Sequence, residues 1–281
     1  MTRPQAALNK FLVRADFALY YRQAKQFNWQ NQVTANYGVI FVFAGRLDCL
    51  INEKAVGLRE SEALVVEPNV RIDATGKPIE FLFLTLSPSR VLEHAIAMRL
   101  SAPQTTVTFF EEPIKDDLKL VDLCRCIGIE LLDEKPGKEI VVNALVEQSI
   151  VHLLRKYSVT RLSNELELSR VGLIDRRIRR SVELMHAQLD QDLSLKALAA
   201  ASYLSTFHFA RLFKKITGST PHNYLAAMRA NRAQLLLAET DMSITEVGTR
   251  VGYLSASHFT KAFRLATGTT PREFRSALVR Q

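Results

Sequence analysis

The chain has 281 residues, of which 47% are hydrophobic, and carries a formal net charge of +8 at pH 7. Its length suits two folded domains, and the lack of an apolar run near 18 residues argues against a transmembrane helix or a membrane partner. The first residues lack the apolar core of a signal peptide and three cysteines make no disulfide framework, so we expect a cytoplasmic protein.

The first third of the chain is predicted to form short β-strands. β-Branched and aromatic residues fill Tyr37–Phe43, a turn is expected at Ala44–Gly45, and Arg46–Ile51 follows as the next strand. Residues 62–67 and Ile79–Leu86 have the same character. Many short strands separated by Gly, Asn and Pro predict a small β-barrel or sandwich.

The histidines argue against a metal-dependent enzyme in this region. A metal centre on such a barrel needs clustered histidines with a carboxylate, and no histidine lies among the predicted strands. We therefore expect no metal, no cofactor and no catalysis. A barrel mouth is still a common small-molecule pocket, and Trp29, Tyr37, Phe41 and Phe43 are either pocket lining or core. No effector-binding residue is assigned.

Three helices are predicted next. Ser87–Pro88 begins the first, which runs to about Leu100, and two more form a hairpin at about 116–156 with Pro136–Gly137 between them. The apolar stripe of the first hairpin helix is Leu120, Cys124, Ile127 and Leu131. The hairpin packs either on its own barrel or against the same hairpin of a second subunit.

Residues 161–174 are polar and weakly patterned, and we expect a linker there between a domain at 1–160 and one at 175–281. The second domain begins with Asp175-Arg-Arg-Ile-Arg-Arg180. Four arginines are unfavourable beside the positive end of a helix dipole. They have either DNA phosphate or acidic groups of the first domain as partners, or they form a solvated face.

The second domain contains one sequence twice. LSTFHFARLFKKITGSTP at Leu204–Pro221 and LSASHFTKAFRLATGTTP at Leu254–Pro271 align with an offset of 50 residues. Each copy predicts a short helix, a tight turn and a second helix begun by a serine, which is a helix-turn-helix. We place these units at about 194–217 and 243–267.

The helix between the copies, at about 223–239, is expected to set their separation. A helix of that length spans ~25 Å. It would hold the two second helices about one DNA turn apart, ~34 Å, so that both enter successive major grooves.

The exposed faces of the second helices carry side chains suited to DNA. Arg and Lys reach guanine edges or phosphates, Ser and Thr bond either, and small or aromatic groups contact thymine methyls. Residues 171–281 hold 16 basic and 8 acidic side chains, which is the whole net charge. The candidates are Thr206, Phe207, Arg211 and Lys214 in the first unit and Ala256, Ser257, Thr260, Lys261 and Arg264 in the second.

Residues Arg176–Ala277 resemble the double helix-turn-helix DNA-binding domain of the AraC/XylS family of bacterial transcription regulators. The most characteristic part is DMSITEVGTRVGYLSASHFTKAFRLATGTTPREFR. A departure is Tyr203, where the family usually has glycine in the first turn. The resemblance implies that Phe207, Ala210, Arg211, Ala256, Ser257, Thr260 and Lys261 are base-facing. We add the cap residue Ser205 to the DNA-binding candidates.

The stretch GRLDCLINEKAVGLRESEALVVEPN more loosely resembles the middle of the cupin-like barrel that this family often carries. The predicted fold is therefore α+β with two domains, an N-terminal cupin-like β-barrel with a helical hairpin and a C-terminal all-α double helix-turn-helix. The family also implies an activator of transcription with RNA polymerase and promoter DNA as partners, and a small-molecule or protein effector at the N-terminal domain. It further implies a homodimer, to which we assign Leu120, Cys124, Ile127 and Leu131.

Two alternatives stay open. One is a DNA-modifying or repair enzyme using a reactive cysteine, although Cys49 lies in a predicted strand without a neighbouring His or Lys. The other is a non-specific architectural DNA-binding protein, which would discriminate little between DNA sequences at fixed salt.

Overall fold

The computed structural model describes residues 8–33, 36–68, 70–100, 105–133, 135–162, 176–217 and 220–279. Within them, seven strands form one antiparallel sheet and two more form a small second sheet. The strands are β1 Leu8–Val13, β2 Phe17–Ala24, β3 Phe27–Val33, β4 Tyr37–Ile51, β5 Lys54–Arg59, β6 Ala63–Val66, β7 Arg71–Leu86, β8 Thr105–Phe109 and β9 Ser158–Leu162.

The long strands β4 and β7 organise the large sheet. Its order is β1-β2-β7-β4-β5, with β3 also on β7 and β6 also on β4. The prediction of a turn at Ala44–Gly45 is wrong, because β4 continues through these two residues with register shifts between Val42 and Leu47. Gly45 has a φ of +88°, and a Cβ there would lie 2.1 Å from the Pro78 carbonyl oxygen. The strand therefore bends at a bulge that only glycine accommodates.

Both faces of the large sheet are buried around the N-terminal half of β4. Along β4, Val39 and Phe41 join one apolar cluster while Ile40 and Val42 join the other, as the alternation of a strand requires. The first cluster continues into helices that follow the sheet, and the second continues into the C-terminal helices. This part of the sheet thus lies between two helical layers, whereas β5 and the C-terminal half of β4 expose alternate side chains.

The helices on the first face are α1 Pro88–Ala97, α2 Leu118–Leu132 and α3 Lys138–Tyr157. The start of α1 is as predicted, since Ser87 Oγ accepts the Arg90 N–H at 3.2 Å. Val91 and Ala95 of α1 are buried against this face. None of the described helices is both long and apolar enough to cross a lipid bilayer.

The hairpin α2–α3 packs on the sheet of its own chain. This corrects the assignment of dimerisation residues, because all four side chains lie in the cluster under the sheet and are 0–4% exposed. An apolar stripe shows only that a helix face is buried, not what covers it. The four side chains, unavailable to a second subunit, are Leu120, Cys124, Ile127 and Leu131.

The first domain extends further than expected. Ser158–Leu162 forms β9, which pairs antiparallel with β8, so the N-terminal fold reaches residue 162 rather than 160. The rest of the expected linker, 163–174, lies outside the described residues. In the sequence, Ser158–Leu162 is a polar stretch with two β-branched residues. Nothing in it indicated a strand that pairs with residues about 50 positions earlier.

A buried carboxylate fixes the hairpin at one end. Asp117 caps α2 and accepts from His152 Nε2 at 2.8 Å, Lys156 Nζ at 3.0 Å and the Tyr157 hydroxyl, all on α3. Burial alone raises the pKa of the Asp117 carboxyl. Hydrogen bonds from Tyr157, His152, the Leu120 N–H and Lys156 outweigh burial and hold that pKa well below its ordinary value.

Asp117→Asn is expected to lower the free energy of unfolding at pH 7 by about 1–3 kcal/mol, because the neutral amide weakens the charge-assisted hydrogen bonds from Tyr157, His152 and Lys156. A depressed folded pKa stabilises above the ordinary pKa of about 4 and loses this effect as the pH falls below it. The difference from the wild type should therefore shrink below about pH 4 in urea unfolding series. Asp122→Asn, on the exposed side of α2, is the control, and an equal loss in both variants would refute this role.

The C-terminal half is helical. Phe209 and Phe213 centre one apolar cluster, while Phe259, Phe263 and Phe274 belong to the cluster of the large sheet. The first half of this region therefore has an apolar core of its own, whereas the second half shares the core of the large sheet. The helices are α4 Arg176–Ala187, α5 Leu195–Ala201, α6 Thr206–Thr217, α7 Pro221–Glu239, α8 Ile244–Arg250, α9 Ala256–Thr267 and α10 Pro271–Ala277.

Candidate nucleic-acid interface

The first helix pair, α5 and α6, has the predicted caps. Ser194 Oγ and Ser205 Oγ each accept a backbone N–H three residues ahead, at 3.1 and 3.3 Å. On α6, Phe209 and Phe213 are fully buried with ring centres 5.4 Å apart. Since α6 is held through this stripe, its opposite face is left to solvent.

The second pair, α8 and α9, repeats this construction. Ser255 Oγ accepts a backbone N–H at 3.2 Å, and Phe259 and Phe263 are buried with ring centres 5.6 Å apart. Gly268 ends α9 in the left-handed conformation at φ +76°, which favours glycine. Its counterpart Gly218 lies outside the described residues.

The structure places the candidate side chains along the outer sides of α6 and α9. Ala210 and Thr260 are half-buried, at matching positions of the two repeats. The remaining candidates are exposed, and Phe207 is 77% exposed, an unusual position for a phenyl ring in water. The exposed set is Ser205, Thr206, Phe207, Arg211, Lys214, Ala256, Ser257, Lys261 and Arg264.

The basic side chains on these faces are electrostatically available. Among the described residues, Arg211, Lys214, Lys261 and Arg264 have no ion pair within 4.0 Å. Arg264 acts at longer range and contributes to lowering the pKa of Glu273, after the Thr270 N–H bond. Both helices thus present unpaired positive charge that phosphate or guanine edges can satisfy.

Comparison with known proteins identifies this region. A family model described as a helix-turn-helix domain matches residues 198–277. The transcriptional regulator MtrA of Neisseria gonorrhoeae is 32% identical over 128 residues, which is 44% of this chain and 42% of MtrA. The C-terminal region is an AraC-type helix-turn-helix domain.

Further comparisons bear on the chain as a whole. The regulator GbdR of Pseudomonas aeruginosa is 30% identical over 130 residues, 44% of this chain and 33% of GbdR. The chain therefore spans less than half the length of these curated relatives. ToxT from Vibrio cholerae shares the fold over 95% of this chain and 99% of its own, with a TM-score of 0.63 and 11% identity. The chain thus has a two-domain α+β fold, of which the AraC-type domain is the second domain.

Arg229 of α7 ties the two units of the AraC-type domain together. Its guanidinium donates to the Leu189 carbonyl at 2.9 Å and the Gln191 carbonyl at 2.6 Å, both before α5. It also lies 5.3 Å from the ring centre of Tyr253, in the second unit. A Cβ on Gly252 would meet this guanidinium and Leu189 at 2.8 Å. Arg229 was not anticipated from the sequence, where it is one of two arginines in the connecting helix.

Tyr203 adopts a positive φ of 54° in the first turn of the AraC-type domain. A non-glycine residue there costs roughly 1–2 kcal/mol. The exposed Tyr203 ring receives the Arg180 guanidinium at 5.1 Å. One arginine of the basic run in α4 therefore has an aromatic partner, which none of the three interpretations of that run anticipated.

The second unit of the AraC-type domain is docked on the large sheet. Phe274 stacks on Phe11 of β1 at 5.2 Å, and the Val279 N–H donates to the Phe11 carbonyl at 2.8 Å. Arg22 of β2 donates to the Thr267 carbonyl at 2.6 Å. No such contact with the sheet joins the described part of the first unit's apolar cluster. Within these apolar clusters, α9 is therefore attached to the large sheet and α6 is not.

The cysteine required by the enzyme alternative is poorly placed for nucleophilic chemistry. Cys49 is 4% exposed, and burial, with a smaller contribution from Asp48, raises its thiol pKa to about 12. The thiolate, which is the nucleophile, is therefore scarce at neutral pH.

Proposed function

We propose that this protein is a sequence-specific DNA-binding transcription regulator. The observation that carries the proposal is the pair of matched recognition helices, α6 and α9, with unpaired basic faces and a fixed connection through α7. At 19 residues, α7 spans about 28 Å. This length suits two helices entering successive major grooves on one side of a duplex.

Each residue type then has a role. Arg211 and Lys261 occupy equivalent positions and donate to guanine edges, while Lys214 and Arg264, one turn further on, neutralise phosphates. Phe207 and Ala256 offer apolar contact to thymine methyl groups. Ser205 and Ser255 each cap a recognition helix and orient its N-terminal end toward the groove.

Selection of DNA from a random pool by the full-length protein tests this proposal. A regulator enriches a defined motif and binds it ~10³-fold or more tightly than unrelated DNA at the same salt concentration. Salt-sensitive binding without a motif would instead identify an architectural DNA-binding protein.

We further propose that the N-terminal domain controls the AraC-type domain, because the second unit shares an apolar cluster with the sheet. One ToxT structure is described with an unsaturated fatty acid bound, which supports a small-molecule effector for this protein as well. By resemblance, the protein is an activator that contacts RNA polymerase. Transcription in vitro from a promoter carrying the selected motif, with and without the protein, tests whether the protein activates or represses.

We also propose a homodimer through the outer face of the hairpin, where Ile129, Ile140 and Val141 are 60%, 77% and 42% exposed. Exposed apolar groups at neighbouring helix ends suit an interface. Ile129→Asp with Ile140→Asp is expected to convert a dimer to a monomer in sedimentation equilibrium, with Leu118→Asp, 79% exposed at the far end of α2, as a control. A monomeric wild type at all concentrations would contradict this interface.

A further inference from the structure

A cavity of about 190 Å³ lies where the large sheet meets α7 and α9. Its sheet side is aromatic, with Tyr20, Phe81 and Phe83, and its helical side includes Gln234 and Thr267. The Tyr20 hydroxyl donates to Gln234 Oε1 at 3.0 Å across one edge. The cavity thus has an apolar body between two parts of the protein that the proposed control must connect.

One wall of the cavity is a buried cation. Arg22 is 7% exposed, and its guanidinium lies over the Phe11 ring at 5.0 Å and the Phe27 ring at 5.8 Å. Burial lowers the pKa of Arg22 to about 10, so the group is charged at neutral pH. In the part of the chain that the structure describes, no carboxylate lies within ion-pair distance of it. Buried charges ordinarily have a counter-ion.

A second donor in the same wall lacks an acceptor. Trp29 is 9% exposed, and its Nε1–H is buried without a hydrogen-bond partner among the described residues. Such orphaned donors are rare in native proteins. A Cβ placed on Gly268 would lie 3.5 Å from Arg22 and 3.8 Å from Trp29. Both donors therefore converge on the C-terminal end of the recognition helix α9.

We propose that this cavity binds a small monocarboxylate with an apolar body, whose carboxylate accepts from Arg22 and Trp29 Nε1 while its body packs on the aromatic rings. The inference rests on the proposed function and names its effector site and ligand class. The volume equals that of roughly six waters at ~30 Å³ each, below the ~300–1,000 Å³ of pockets for drug-sized ligands. The ligand body is accordingly short.

The internal repeat indicates how the ligand acts on DNA binding. At its C-terminal end α9 carries Leu265 and Ala266 where α6 carries Lys215 and Ile216, and Ala266 lines the cavity. Arg22 holds α9 through the Thr267 carbonyl, at the negative end of the helix dipole. A carboxylate competes for the same guanidinium and loosens α9 from the sheet.

Binding is tested by intrinsic fluorescence, since Trp29 is the single tryptophan of the chain. The full-length protein is titrated with hexanoate and phenylacetate and, as uncharged controls, with hexanamide and phenylacetamide. We expect a saturable change with at least one acid and at least ~10-fold weaker binding of its amide, about 1.4 kcal/mol. Equal binding of acid and amide, or no binding of either acid, overturns the site.

Arg22→Gln keeps an N–H donor for the Thr267 carbonyl and removes the charge, so it should weaken binding of the acid at least ~10-fold. Arg14→Gln is the matched control, because Arg14 stands at the rim of the same cavity but is already ion-paired with Glu139. Unchanged affinity in a folded Arg22→Gln variant overturns the site. If that variant does not fold, the comparison of acid with amide on the wild type decides.

The coupling to DNA is measured with the selected motif, with and without saturating acid. We expect a 5–150-fold change in DNA affinity, and the same factor in acid affinity when DNA is added first. An unchanged DNA affinity overturns the regulatory step. A selected motif without acid binding overturns this site and leaves the proposed function, whereas acid binding without any motif supports the site and contradicts the proposed function.

Discussion

Replacing Arg211 and Lys261 together by alanine is expected to abolish recognition of the selected DNA motif. The two side chains occupy the same place in the two repeats, are exposed and have no ion pair within the described structure. Losing a base contact costs about 1–3 kcal/mol, so the pair costs about 2–6 kcal/mol, or at least ~30-fold in affinity. Fluorescence anisotropy with labelled motif and with scrambled DNA measures this loss.

The matched control is Lys119→Ala with Arg155→Ala, which removes the same net charge from exposed positions of the hairpin. This variant should retain the motif at nearly wild-type affinity, because the two charges lie outside the helices proposed to contact DNA. Any effect of net charge alone would weaken binding of the motif and of scrambled DNA alike. Each single variant should relax the sequence preference in one half of the motif only. Equal losses in the test and control variants would show that Arg211 and Lys261 do not read bases.

Phe213→Ala and Phe263→Ala are expected to differ although they are equivalent positions of the repeat. Each removes a buried ring, at about 3–5 kcal/mol. Phe213 packs against Phe209 and Tyr224 within the first unit. Phe263 packs against Phe274, which in turn stacks on β1 of the sheet. The loss at Phe263 therefore reaches the sheet, and the loss at Phe213 stays in the first unit.

Urea unfolding followed by Trp29 fluorescence and by far-ultraviolet circular dichroism separates the two effects. Phe263→Ala should lower the midpoint of the Trp29 transition. Phe213→Ala should leave that midpoint near the wild-type value while part of the helical signal is lost at lower urea, a departure from two-state unfolding. Identical shifts of the Trp29 midpoint in both variants would contradict the unequal attachment of the two units.

Local features of the fold were predictable because short-range chemistry decides them. Ser87, Ser205 and Ser255 each cap a helix as expected, since a hydroxyl acceptor ahead of an apolar stripe satisfies free N–H groups. The left-handed C-terminus of α9 at Gly268 follows from the same kind of rule. The exposed faces of α6 and α9 followed from their apolar stripes, although their contact with DNA remains a prediction.

Long-range partners were not predictable. The apolar stripe containing Leu120 and Ile127 predicts that this face of α2 is buried. It does not predict whether a sheet or a second subunit covers the face. Arg22 and Thr267 are separated by 245 positions, and a lone arginine in a strand carries no sign of a carbonyl at the end of a distant helix. Arg229 was missed for the same reason, because its acceptors are backbone carbonyls, which every residue has.

We propose that the two recognition helices, held apart by α7, read one face of the DNA. Hydroxyl-radical footprinting of the wild-type protein on its selected motif tests it most directly. Two protected stretches per protomer are expected, centred about 10–10.5 base pairs apart on the same side of the duplex. A single protected stretch shorter than one helical turn per protomer would contradict it.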